Sequence, residues 1–201
     1  MIRGKTREAP MAQKMDIPEL DTPTIEASIY NRFDIEVIDA ATGEVKQEAF
    51  AENLILNQLW NRVGQQWFSY IHYGTGTGTL AATRTSLFNN IGSGDVRGQS
   101  ASMTFDTVTG VYTLKRAIQL SETTAVGQTL TEVGIGSDTS AGSLVTHAML
   151  KDMNGNQISI AKTATDIINI YATVFVHFNP AGYSNGSVKF LSGASTTCDV
   201  S

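Results

Sequence analysis

Residues 167–178 constrain the fold more than any other stretch of this chain. Alternation along them puts Ile168, Ile170, Ala172, Val174 and Val176 on one face, with Tyr171, Phe175 and His177 on the other. β-Branched and aromatic side chains dominate, and both faces are apolar. The stretch therefore reads as a long central strand covered on two sides. A chain built around such a strand needs partners for both edges, and the sequence supplies candidates. Residues 29–38 alternate apolar and polar from Phe33 onward, Ala41-Thr42-Gly43-Glu44 marks a turn, and residues 45–50 return as a second strand. Further strands are expected at 69–73, 102–105, 111–120, 130–135, 144–151, 157–161 and 187–191. Asn154-Gly155 and Asn185-Gly186 are tight-turn signals, and the first predicts a type I′ hairpin joining residues 147–151 to 157–162.

Composition supports this reading. Only 16% of residues are charged, and 18 are glycines. Helical bundles and coiled coils need charged solvent faces, so that class is excluded. One helix is expected over about 53–64. Leu56, Leu59, Trp60 and Val63 follow i, i+3, i+4, i+7 spacing, with Asn53 as N-cap and Gly64 just past the end. The expected architecture is a mainly β chain, an antiparallel β-sandwich of about nine strands spanning residues 28–201.

Residues 1–27 differ in kind. They hold Pro10, Pro18 and Pro23, three of the 4 prolines, and show no periodicity. Proline removes a backbone donor and favours extended neighbours, so an extended arm is expected. Arg3, Lys5, Arg7 and Lys14 make its first half basic. From Asp16 to Glu52, acidic residues outnumber Arg32 and Lys46. This asymmetry suits an arm steered onto a neighbouring acidic surface, which makes it the candidate partner-docking element.

Several function classes are disfavoured. The net charge of −5 and pI near 5.1 argue against nucleic-acid binding. No run of about 18 apolar residues predicts a membrane span, and the N-terminal residues have no apolar core of a signal peptide. The lone Cys198 permits no internal disulfide. These features lead to the expectation of a protein made in a reducing cytoplasm. The run Gly74-Thr75-Gly76-Thr77-Gly78-Thr79 lacks the lysine of a phosphate loop and the spacing of a dinucleotide fingerprint. It reads instead as a loop lying close against another backbone, its threonines satisfying local donors. His72, His147 and His177 have no metal-ligand spacing, so no metal or cofactor is expected. Of Asp106, Glu122, Glu132, Asp138, Asp152 and Asp166, most lie at turns, and Glu132 is the exception inside an expected strand, with Arg84, Arg97 or Arg116 as candidate partners. No second acid faces it, so no catalytic pair can be named. Trp67, Tyr73 and Tyr183 are candidate ligand contacts on loops, for a host-surface glycan in particular.

The order of these motifs resembles a known group. It runs from the N-terminal hairpin and helix through Tyr73-Gly74-Thr75-Gly76-Thr77 and Ala81-Ala82-Thr83-Arg84-Thr85-Ser86-Leu87. Leu130-Thr131-Glu132-Val133-Gly134-Ile135-Gly136 and Leu144-Val145-Thr146-His147-Ala148 follow. Asp152-Met153-Asn154-Gly155 and the long strand through Val176 complete it. Over about residues 29–180 the chain resembles structural proteins of tailed bacteriophages: virion-attached parts of tail fibres, baseplate proteins and collar proteins. The resemblance implies a β-rich, non-enzymatic assembly module and carries over no catalytic residues. With 201 residues there is no room for a fibre shaft, so the expectation is a short adaptor, collar or attachment protein. Such a protein would form a homo-oligomer and dock to neighbouring tail, neck or baseplate proteins through its arm. A carbohydrate- or receptor-binding module at a tail tip is the alternative, and a polysaccharide-degrading enzyme a third.

Overall fold

The computed structural model describes residues 27–62, 64–97 and 102–178. The arm residues Arg3, Lys5, Arg7, Pro10, Lys14, Pro18 and Pro23, the strand expected at 187–191, Tyr183 and Cys198 lie outside them. The described chain forms two five-stranded antiparallel sheets and a small two-stranded one.

The first sheet is built from four long strands and one short edge strand, β6: β1 (Ala27–Asp39), β2 (Val45–Glu52), β6 (Ser102–Asp106), β7 (Val111–Leu120) and β12 (Asp166–Phe178), in the order β2-β1-β12-β7-β6. β12 is central, paired along its length with β1 from Ala27↔Phe178 to Asp39↔Asp166. Its inward residues Ile168, Ile170, Ala172 and Val174 are buried against Phe33, Ile35 and Val37 of β1 and Ile118 of β7. Coverage on two sides was expected, but the described residues lay no second layer over Tyr171 and Phe175. Those rings are only half-buried, with Phe175 stacked on Tyr30 at 4.6 Å and Lys115 Nζ 4.5 Å from the Tyr171 ring centroid.

Two hairpins of this sheet share one turn. In Asp39-Ala40-Ala41-Thr42-Gly43 and Asp106-Thr107-Val108-Thr109-Gly110, the Asp Oδ1 accepts from the amides two and three residues on. In each, Gly donates back to the Asp carbonyl, with φ +75° at Gly43 and +67° at Gly110. A side-chain acceptor at the first position and a left-handed glycine at the last close both loops.

The second sheet is made of short strands: β3 (Leu54–Ile55), β4 (Tyr70–Gly74), β5 (Asn90–Asp95), β9 (Glu132–Gly136) and β10 (Thr146–Met149), ordered β3-β10-β9-β4-β5. β8 (Thr129–Leu130) pairs with β11 (Ile160–Ala161). Ile71 and Tyr73 of β4 and Val133 and Ile135 of β9 enter the same core cluster as the long strands, so the sheets form a sandwich. The mainly β, antiparallel class expected from the sequence is the observed one.

The helix is shorter than expected. Only Gln58–Arg62 is helical (α1), while Leu54 and Ile55 pair with β10. Asn53 is no cap; its Oδ1 accepts from the Asn31 amide at 3.3 Å. Leu56 and Leu59 are buried, but Trp60 is 62% exposed. Strand plus turn had imitated helical spacing. The Asn154-Gly155 hairpin also differs from expectation. Gly155 alone has positive φ, and the Asp152 carboxylate accepts from the Asn154 and Asn156 amides. The loop is therefore a type I turn followed by a left-handed glycine, not type I′. Lys151 bridges Gln157, but the returning chain then leaves β10 to pair with β8.

Candidate functional site

In β9, Val133 and Ile135 point into the core, so Glu132, Gly134 and Gly136 point to the opposite face of the second sheet. That face is roofed by the loops between β4 and β5 and between β9 and β10. A Cβ on Gly74 would come within 2.6 Å of the Asn89 carbonyl oxygen, and one on Gly76 within 2.3 Å of Phe88 Cβ. The glycine-rich run thus lies against the 88–89 backbone, as its composition implied.

Glu132 ties these pieces together. Oε1 accepts from the Gly76 and Asn89 amides at 2.9 and 2.8 Å, and Oε2 from the Phe88 amide at 2.8 Å. His147 Nε2 of β10 donates the fourth bond, to Oε2 at 2.7 Å. Both side chains are 0% exposed. Burial alone would raise the Glu132 pKa, but the bonds from His147 and the three amides more than offset it and hold the carboxyl below its usual range. Around the cluster, Thr131 Oγ1 donates to the Gly76 carbonyl at 2.6 Å, Asn89 Nδ2 donates to Thr75 Oγ1 at 2.6 Å, and the Phe88 ring tilts over His147 at 5.0 Å.

Expected arginine partners for Glu132 are corrected by this geometry. Arg84 lies over the Phe88 ring, its Cζ 3.8 Å from the centroid, and donates to the Ser86 carbonyl. Arg97 grips Asp95 and the Tyr70 hydroxyl, while Arg116 donates to the Phe68 carbonyl. Four donors fill the carboxylate, and its surroundings are closed to solvent. The arrangement fastens both ends of the β4–β5 loop to β9 and β10, with the carboxylate fully buried. The signal that identified Glu132 was an acid placed inside a strand. Nothing in the sequence marked His147 as its partner, fifteen positions away.

A second polar anchor lies on the same face. His72 Nε2 donates to the Asp138 carbonyl at 2.9 Å, and its Nδ1 lies 3.3 Å from Asn90 Oδ1, beside Ser143 Oγ. Burial lowers its pKa, partly opposed by those two bonds. It is neutral near pH 7.

The accessible candidate lies elsewhere. Beyond the short second sheet, the inner face of the first sheet stays open, leaving a cavity of about 590 Å³ lined by Gln65, Trp67, Arg97, Tyr112, Leu114 and Arg116. Trp67, one of the expected ligand contacts, rims it half-buried and stacks on Phe68 at 6.0 Å. Tyr73 does not reach it. It is a strand residue, 7% exposed, with its ring against Gly92. Treating it as a loop contact is corrected here: alternation along β4 turns it into the core. Tyr183 and the arm lie outside the described residues. Among those described, no cluster of His, Cys, Asp and Glu could hold a metal ion, and no helix is long and apolar enough to cross a membrane.

The fold and site define an antiparallel β-sandwich with a buried carboxylate clamp. Comparison with protein-family models, curated proteins and solved structures gives no match to this chain.

Proposed function

We propose that this chain is a non-enzymatic structural component of a phage virion, a short tail, collar or neck adaptor. It forms a symmetric homo-oligomer and docks to a neighbouring virion protein through residues 1–27. One observation carries the reading. The short motifs that resemble phage structural proteins, scattered over the sequence, meet at Glu132: Gly76 from the glycine-rich run, β9 itself, and His147 from the Leu144–Ala148 motif. The shared residues are then loop-fastening parts of a scaffold, which suits an assembly module better than an enzyme. Charge adds support. On the outer face of the first sheet, Glu36 and Glu48 stand directly opposite each other, in ion pairs with no described residue. Like charges so placed repel and favour a cationic partner such as the basic arm. Deleting residues 2–25 should leave the body folded and abolish incorporation into particles, read by particle composition. Normal uptake of the truncated chain would overturn the arm's role.

The rim position of Trp67 favours a second reading, glycan binding at the cavity. Glycan-array binding lost in Trp67→Ala, with unchanged melting, would support it.

A further inference from the structure

β6 is the outer strand of the first sheet, and its far edge pairs with no described strand. All five of its residues are exposed, including Met103 at 61% and Phe105 at 55%. An open edge carrying large apolar side chains is a template for another strand. The apolar side chains have a direction. Met103 pairs with Leu114 and Phe105 with Tyr112, and both of these line the open cavity, so all four share its face.

Residues 179–201 continue from the end of β12, which pairs at His177 with Val111, the first residue of β7. β6 ends one short loop away, at Asp106. The position beside β6 lies three strand spacings from β12, about 14 Å. Residues 179–186 reach at most about 26 Å when extended, enough to cross and still turn at Asn185-Gly186. β6 runs parallel to β12, so a chain returning from there would be antiparallel to it. Ser187-Val188-Lys189-Phe190-Leu191 matches β6 in length, and its apolar Val188 and Phe190 are two apart, as Met103 and Phe105 are.

We propose that residues 187–191 of the same chain add a sixth strand along β6, with Phe190 opposite Met103 and Val188 opposite Phe105. This strand covers the edge. It stands independently of the virion reading.

The test uses the full chain with Cys198→Ser. Met103→Cys and Phe190→Cys are introduced together, oxidised, and separated on a non-reducing gel with tryptic mass mapping. The expected product is an intramolecular disulfide, formed at least about tenfold faster than one between Met103→Cys and the native Cys198. Disulfide-linked dimers alone would assign the edge to a second copy and overturn the proposal, as would equal rates or no cross-link. Amide exchange of the unmodified chain checks the result without engineered thiols. The β6 amides should be protected, and Phe190→Asp should speed their exchange at least about tenfold while the β1 amides are unchanged. Fast β6 exchange in the unmodified chain would refute it.

Discussion

The two sheets of the sandwich are held by different means. The first is a ladder of mostly long strands whose inward core side chains are mainly aliphatic and whose turns close with their own Asp and Gly. The second has strands of two to six residues, too short to be stable alone, and glycines where close approach is needed. Its loops are tied down from beneath by buried polar side chains, Glu132 with His147 and His72 with the Asp138 carbonyl. Apolar burial is spread over many residues and tolerates loss piecemeal. A polar clamp concentrates stability in a few atoms, and leaving a buried donor without its acceptor is costly.

The comparison is broken most sharply at Glu132. Glu132→Gln keeps the volume but sets an amide against three backbone donors. It should lose about 3–5 kcal/mol in urea denaturation, comparable to breaking a buried ion pair. Gly76→Ala drives a methyl into Phe88 and Asn89 and should cost about 1–3 kcal/mol by the same measurement. A deletion in the long-strand sheet, Ile170→Val, should cost only about 0.5–1.5 kcal/mol despite complete burial. If Ile170→Val proves as damaging as Glu132→Gln, the contrast fails.

Acid gives the smallest and most selective effect. The His72 pKa is lowered in the fold, so its contribution is present above the ordinary value of 6.5 and is lost as pH falls through the folded one. Asp166 in the first sheet bonds Lys46 Nζ at 2.6 Å and the Thr163 amide at 2.9 Å. Burial would raise its pKa, but these bonds, with that of the Thr163 hydroxyl, hold it at about 2. Its contribution is present above 3.8 and lost only as pH falls towards about 2. Between pH 6.5 and 4.5, amide exchange corrected for intrinsic rate should loosen β4 and β9 while β1 and β12 stay protected. Simultaneous loosening would show that the sheets share one anchor.

The same difference explains what could be read from the sequence. β1, β7 and β12 alternate over ten or more residues, and hydrophobic period locates them. β5, Asn90-Ile91-Gly92-Ser93-Gly94-Asp95, escapes that rule. Gly92 and Gly94 must be bare because the Tyr73 hydroxyl and Ile118 Cγ2 would lie 2.3 and 2.5 Å from an added Cβ. Such a strand is specified by its neighbours, which a one-dimensional pattern cannot report. Leu56 and Leu59 misled for a related reason: Leu56 serves a small separate cluster with Leu87 and Leu144, and the spacing was accidental. Of the candidate site, the buried acid was legible from its strand position. Its partner and the open cavity depend on contacts between distant segments.

The pairing of Ala27 with Phe178 has a mechanical consequence. The segments flanking the described body leave it from adjacent strands at the same end of one ladder. Tension applied between them loads the hydrogen bonds one rung at a time, beginning at that pair, so the β1–β12 ladder would peel open as a zipper. Tension applied between residues 1–26 and a point on β2 near Val45 would instead load β1 along its axis and strain many rungs at once. The body therefore resists a pull through its sheet better than a pull that spreads its two ends.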